Sequence, residues 1–217
     1  MVYVESAVRS RQIVAAARAV ITRDGVAAAT IRAVSKEAGI PLGTLQYVFP
    51  TKQQLMRAVI ENLVEEIGGI LRSSAPLDAG LEYALAKGVR SFWNDLVVGE
   101  APIQLAQYEL TTQALRTAGL EDMARRQYEG YTDVVTEWIQ QAAGRAGEET
   151  AIDARQLARL IVAGVDGLIL QYVVDPDPDR GRQDIEAMIA MIIRHADVRP
   201  AAGSLGLRPA RPSHRDR

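Results

Sequence analysis

The chain has 217 residues, 48% hydrophobic and 24% charged, which fits a folded globule; with no cysteine and two histidines, His195 and His214, it excludes disulfides, thiol nucleophiles, zinc fingers and multi-histidine metal sites. The net charge of −2 hides an uneven distribution: residues 1–60 hold eight arginines and lysines against three carboxylates, net +5, residues 198–217 are net +4, and the middle is net −11. A basic head on an acidic body lets the head approach phosphates that the body repels. The first twelve residues lack a signal-peptide core and no apolar run reads as long enough to span a bilayer, so a cytoplasmic setting without a membrane partner is expected.

Apolar residues recur at helical spacing nearly everywhere, no segment reads as a strand and no internal repeat appears, so the expected fold is all-α. Ile13, Ala17, Val20 and Ile21 line one face of a first helix, which Gly25 stops. Thr30 is placed to cap a short second helix with Ile31, Val34 and Ala38 inward. Gly39 breaks that helix and Pro41 opens a third, Leu42 to Phe49, which Pro50 ends. Thr51 and Gln54 form a capping box for a long fourth helix with Leu55, Val59, Leu63 and Ile67 on one side. Gly68 and Gly69 interrupt it, as a kink, a close helix contact or a hinge. Further helices are expected at about 77–98, 102–117, 120–143, 153–174 and 182–196, with Asp153 and Gln156 forming another cap. The division follows: a helix-turn-helix head at 1–52, a helical body at 53–197 and a flexible basic tail at 198–217.

The segment from Ile31 to Phe49 reads helix, tight turn, helix. In a helix-turn-helix the first helix holds the second in the major groove, so Ile31, Val34, Ala38, Ile40, Leu45 and Phe49 should be buried. The exposed side then carries Leu42, Gly43, Thr44, Gln46 and Tyr47. Gln46 suits a bidentate pair with adenine, and Leu42 or the Thr44 methyl suits a thymine methyl. Thr51 and Lys52, at the start of the fourth helix, suit a backbone phosphate. A short helix pair with a glycine turn is equally the signature of a plain core hairpin.

The stretch RQIVAAARAVITRDGVAAATIRAVSKEAGIPLGTLQYVFPTKQQLMRAV resembles the DNA-binding domain of TetR-type transcriptional regulators, over about residues 9–60. Its landmarks stand in order: Gly25, Thr30, Ala38-Gly39-Ile40, Gly43-Thr44-Leu45, Phe49, Lys52 and Leu55. The remainder resembles the family in length, helicity and the Val165-Asp166-Gly167-Leu168 segment. The resemblance implies a homodimer with two three-helix heads on an effector-binding body, reading a near-palindromic double-stranded DNA operator. It implies phosphate contacts at Thr30, at the start of the third helix around Pro41, and at Tyr47 and Lys52. It places Arg32, Leu42, Thr44 and Gln46 where bases are read. Pro41, Leu42 and Gln46 depart from the usual pattern, and Pro41 lacks the backbone donor that a phosphate contact would use.

In the body, Phe92, Trp93, Gln104, Tyr108, Met123, Tyr128, Tyr131 and Trp138 are either core or the wall of an apolar pocket with a few orienting polar groups. They fall on helices that form the effector pocket in the resembled family. A small, largely apolar or aromatic effector is expected there, acting by binding the DNA-free form better. Glu109 in the same stretch is a solvated or paired carboxylate, or an anchor for a cationic effector. Leu157, Leu160, Ile161, Gly164 and Leu168, with Ile185, Met188, Ile189 and Ile192, give the last two helices wide apolar faces. These are ordinary core or a two-fold dimer interface.

Asp175, Asp177, Asp179, Gln183 and Glu186 approach calcium-loop spacing, but Gly181 falls one residue late and two prolines stiffen the segment, so it reads as an acidic connector. No metal or cofactor is expected. GxSxG, HExxH, GxxxxGK and GxGxxG are all missing, so no catalysis is expected. The rival readings are a non-catalytic helical dimerisation module without specific DNA binding and a carboxylate-based enzyme.

Overall fold

The computed structural model describes residues 2–76, 78–98, 101–118 and 120–201. Among them are nine helices and one short strand pair. Helices α1 (Val2–Asp24), α2 (Ile31–Ala38) and α3 (Leu42–Val48) make a head, and α4 (Lys52–Ser74) runs from it into the body. The body comprises α5 (Leu81–Leu96), α6 (Ala101–Arg116), α7 (Glu121–Ala146), α8 (Ala154–Val174) and α9 (Pro178–Ala196).

Local chemistry sets the head's corners. Thr30 accepts a hydrogen bond from the Ala33 N–H at 3.1 Å, satisfying one free donor of α2. Gly39 ends α2 at φ +64°, and its N–H reaches the Lys36 carbonyl at 3.2 Å while Ile40 reaches back to Ser35. A side chain at this left-handed position would be strained, which is why glycine makes the turn. Pro41 stands just before α3 rather than inside it, and its carbonyl accepts from Thr44 and Leu45 at 3.0 and 3.1 Å. The capping box of α4 is complete: Gln54 N–H bonds Thr51 Oγ1, and Thr51 N–H bonds Gln54 Oε1, both at 3.2 Å.

Two apolar clusters meet along α4. The head cluster joins Ile13, Ala17 and Val20 to Val34, Leu45, Phe49, Leu55 and Val59, and it also takes in Ala106, Leu110 and Ala114 of α6. The body cluster joins Leu63, Ile67 and Leu71 of α4 to α5, α7, α8 and α9. One rigid helix thus contributes to both, so a shift of its body half is felt in the head.

Several expectations are corrected. α4 is continuous through Gly68 and Gly69; a Cβ at Gly68 would stand 2.8 Å from Val134 Cγ2, so this glycine serves a close α4–α7 contact. α5 starts at Leu81 instead of 77, where Glu148 Oε2 accepts its N–H at 2.6 Å. α9 starts at Pro178 instead of 182, because Asp177 caps it by accepting from the Asp179 and Arg180 N–H groups. The other carboxylates of that segment pair with arginine: Asp175 with Arg180, Asp179 with Arg182 and Glu186 with Arg90.

The start of the expected tail is structured: Glu148–Glu149 (β1) and Arg199–Pro200 (β2) pair antiparallel. Two-residue strands carry too little periodicity to be read from sequence. Residues 202–217, with His214, Arg208, Arg211, Arg215 and Arg217, lie outside the described residues. α8 has the expected bounds to within one residue, but contrary to expectation it is long and apolar enough to cross a membrane by length and composition. It packs instead against α7 and α9 in the body.

Candidate nucleic-acid interface and ligand cavity

α3 has two chemically distinct sides. Leu45 is wholly buried and Phe49 nearly so, while Ile31, Ala38 and Ile40 pack half-buried against the same cluster. The opposite side carries Gly43, Gln46 and Tyr47 in solvent, and Tyr47 is 88% exposed. Leu42 and Thr44 are half-buried at the flanks, and Pro41, Arg32 and Thr30 are exposed beside them. A large phenol left out of a globule on a seven-residue rod is an unusual use of apolar surface, and it suits a groove contact.

Lys52 sits elsewhere than expected. Its ammonium donates to the Val26 carbonyl at 2.8 Å, inside the joint between head and body. Burial pulls its pKa down, and the nearby Glu109 carboxylate pulls it back up. Thr51, at the same helix start, is exposed, with its hydroxyl oxygen already accepting from Gln54.

Glu109 belongs to this joint and not to the cavity. From α6 it accepts the Val26 N–H at 2.9 Å, and its carboxylate oxygen would stand 3.2 Å from a Cβ placed on Gly25. Arg18 makes a second tie between α1 and α4, pairing with Glu66 at 2.8 Å and donating to Asn62 at 3.1 Å. Glu109→Ala leaves a half-buried N–H without its acceptor and should cost about 1–3 kcal/mol. Thermal unfolding checks this as a fall of several degrees, and Glu109→Gln, which keeps an acceptor oxygen, should lose less.

The body encloses a cavity of about 770 Å³, counting the space at its mouth, between α4, α5, α6, α7 and α8. Of the expected wall, Phe92, Gln104, Tyr108, Tyr128, Tyr131 and Trp138 line it. Trp93 and Met123 do not. Trp93 packs edge-on to Tyr172 at 5.5 Å between ring centres, and Met123 joins the head cluster. Both are apolar and in register with the wall residues, but their helices turn them to a neighbouring helix.

The polar side of the cavity is a connected network. Thr111 donates to Gln127 Oε1 at 3.0 Å, Gln127 Nε2 donates to the Tyr131 hydroxyl at 2.9 Å, and Tyr131 donates to Gln107 Oε1 at 3.0 Å. Tyr128 donates to Asp166 Oδ2 at 2.8 Å and Tyr108 to the Asp166 carbonyl at 2.7 Å. Burial raises the pKa of Tyr108, Tyr128 and Tyr131, and the Asp166 charge adds to each, so these phenols stay protonated donors. Trp138 Nε1 is a buried donor without a partner. The expected site omitted Asp166. Its signal was present: Val162, Val165, Asp166 and Ile169 fall at i, i+3, i+4 and i+7, one carboxylate inside an apolar stripe.

Residues 13–59 match the family model described as bacterial regulatory proteins, tetR family, and residues 82–195 match the tetracyclin repressor-like C-terminal domain. The latter match alone spans more than half of the chain. This chain belongs to the TetR family. It is a ligand-responsive transcriptional regulator.

Among TetR-family relatives, the HTH-type nicotine-responsive transcriptional repressor HdnoR of Paenarthrobacter nicotinovorans is 34% identical over 175 residues, 79% of this chain and 87% of that protein. A TetR-family regulator from Rhodococcus sp. shares the fold with a TM-score of 0.71 at 20% identity, over 87% of this chain and 98% of that one. The multidrug binding protein EbrR, solved with ethidium, aligns with a TM-score of 0.61 at 25% identity, over 84% and 98%.

The residues expected at a TetR-type dimer interface divide in two. Leu157, Ile161, Ile185, Met188, Ile189 and Ile192 are buried within the single chain, and Ile161 lines the cavity. Gly164 faces Met188, whose Sδ would lie 2.8 Å from a Cβ there, so its small size serves α8–α9 packing inside the chain. Leu168 is half-buried against the body cluster. Leu160 alone of the set is exposed. Leu170 and Val174 further along α8, and Met191 on α9, are also exposed, the last two at 78% and 64%. α8 is apolar all round, and periodicity does not say which of its sides meets its own chain.

Proposed function

We propose that this TetR-family chain is a cytoplasmic repressor. It binds a near-palindromic operator as a homodimer through the head at 1–52, and a small, largely apolar or aromatic effector in the body at 53–197 releases it. The observation that carries this is α3 itself, pinned by Leu45 on one side and offering Gln46 and Tyr47 to solvent on the other. Gln46, Thr44 and Leu42 read bases, with Arg32 beside them. Tyr47, Thr30 and Thr51 contact phosphate, and Gly43 and Pro41 let the backbone approach. Lys52 holds the joint instead, so Lys52→Ala should lower stability and leave the salt slope of DNA binding nearly unchanged.

The outer apolar face of α8 and α9 supports a two-fold pairing that sets the distance between heads. Nicotine in the name of one relative and ethidium in the structure of another support an aromatic effector. Such an effector works by binding the DNA-free form better, which moves α6 and α4 against the head.

The test is selection of bound sequences from random duplexes. A shared near-palindrome with half-sites one helical turn or a multiple apart is the expected result. Recovery of sequences with no common motif overturns the reading. On the selected duplex, Gln46→Ala should cost about 1–3 kcal/mol and relax preference at one position per half-site, measured by gel shift on single-position variants.

A further inference from the structure

Among the described residues the cavity has one charged wall residue, Asp166 of α8; the other seventeen that line it are apolar, aromatic or neutral. Asp166 enters none of the ion pairs among the described residues. Its side chain has a phenol for a partner, Tyr128 at 2.8 Å, and a carboxylate has capacity for several more donors. Asp166 is half-buried in an otherwise uncharged wall, so its charge is left for a ligand to neutralise.

The surroundings say what completes it. Tyr128 and Tyr131 stand edge to face with ring centres 5.8 Å apart, and Tyr108 donates to the backbone of Asp166 itself. Phe92 and Trp138 line the same cavity. Aromatic faces around a carboxylate attract a cation twice, through the ring quadrupoles and through the opposite charge. Among the described residues no lysine, arginine or histidine lines the cavity, so an anionic ligand would meet a negative charge and nothing there to offset it.

We infer that the effector is a monocationic aromatic amine of one or two rings, held with its ammonium against Asp166 and its ring among Tyr108, Tyr128 and Tyr131. The inference rests on the cavity being the effector site. It assigns to Asp166 the specificity role: the neutral glutamines and tyrosines fix orientation, and the carboxylate selects charge. A single cation matches a single carboxylate. A dication would bury an unpaired second charge.

The test uses the full-length chain and matched trios of aromatic probes with the same ring and chain length: 2-phenylethylamine, 2-phenylethanol and phenylacetate, and the corresponding naphthyl set. Binding is read by tryptophan fluorescence and thermal shift. The amines should bind at least tenfold more tightly than their alcohols, and the carboxylates weakest. Asp166→Asn, which keeps shape and hydrogen bonding, should erase that preference, lowering amine affinity at least tenfold while leaving alcohol affinity unchanged. Equal binding of amine and alcohol, or an unchanged preference in Asp166→Asn, overturns the inference but leaves the cavity as the effector site. Ile161→Trp, which fills the cavity, separates the two claims. If no probe of any charge binds, or if Ile161→Trp leaves amine binding intact, the cavity reading fails and the inference falls with it.

Discussion

Leu45→Ala is expected to remove operator binding while the body still folds. Leu45 is wholly buried at the middle of α3, in a cluster formed by α1, α2, α4 and α6. Truncating a buried leucine costs about 2–5 kcal/mol, the lost transfer energy plus the cavity left behind. Here the loss falls on a seven-residue helix with few other anchors: Phe49 at one end and the Pro41 carbonyl at the other. α3 should lose its fixed angle before the body cluster, built from α4, α5, α7, α8 and α9, loses its packing. Gel shift should therefore show a loss of specific binding exceeding a hundredfold, while tryptophan emission from Trp93 and Trp138 keeps its native position. Specific binding retained within a few-fold would mean that α3 is not the reading element.

The second large effect is expected at the outer face of the body. Leu160 and Met191 are exposed on α8 and α9, and the antiparallel run of these helices, fixed by Gly164 against Met188, brings the two to nearly one level. Introducing Leu160→Glu together with Met191→Glu puts like charges where an apolar self-complementary patch is needed. The double variant should sediment as a monomer with its helicity intact. Operator affinity should then fall by roughly 10²–10⁴-fold, because the second head no longer binds at the effective concentration that a dimer provides. A variant that stays dimeric, or a monomer that binds the full operator as well as before, contradicts the pairing.

The parts legible in sequence were those decided locally. Thr30, Gly39, Thr51 with Gln54, and Asp153 are each read from one residue's own hydrogen-bonding or backbone chemistry, and the helices begin and end there. The buried side of α3 follows from spacing alone. The body was less legible because each helix there has apolar residues on more than one side. Spacing placed Ile161 and Met188 on an apolar face correctly, yet could not say whether that face met a partner, a cavity or the chain's own core. Trp93 and Met123 were misplaced for the same reason. Lys52 and Glu109 escaped because their partners, Val26 for both, are 26 and 83 residues away in sequence. Asp166 was readable as a lone charge in an apolar stripe, but only the folded chain shows that no cation among the described residues answers it.

The joint between head and body gives these parts a common physical link. α6 contributes Gln107 and Tyr108 to the cavity and the next residue, Glu109, to the turn at Gly25 and Val26. A ligand that displaces the cavity face of α6 must also move the carboxylate that holds the head, within one turn of the same helix. Coupling of this kind is reciprocal, so DNA should weaken effector binding by the factor by which effector weakens DNA binding.

The most direct measurement is photocrosslinking from position 47. A benzoyl-phenylalanine there, in the full-length chain on its selected duplex, should crosslink to the operator, while the same group at Tyr83, exposed on α5 of the body, should not. Operator binding that persists with no crosslink from position 47, or with an equal yield from position 83, would contradict the assignment of α3 as the element that enters the groove.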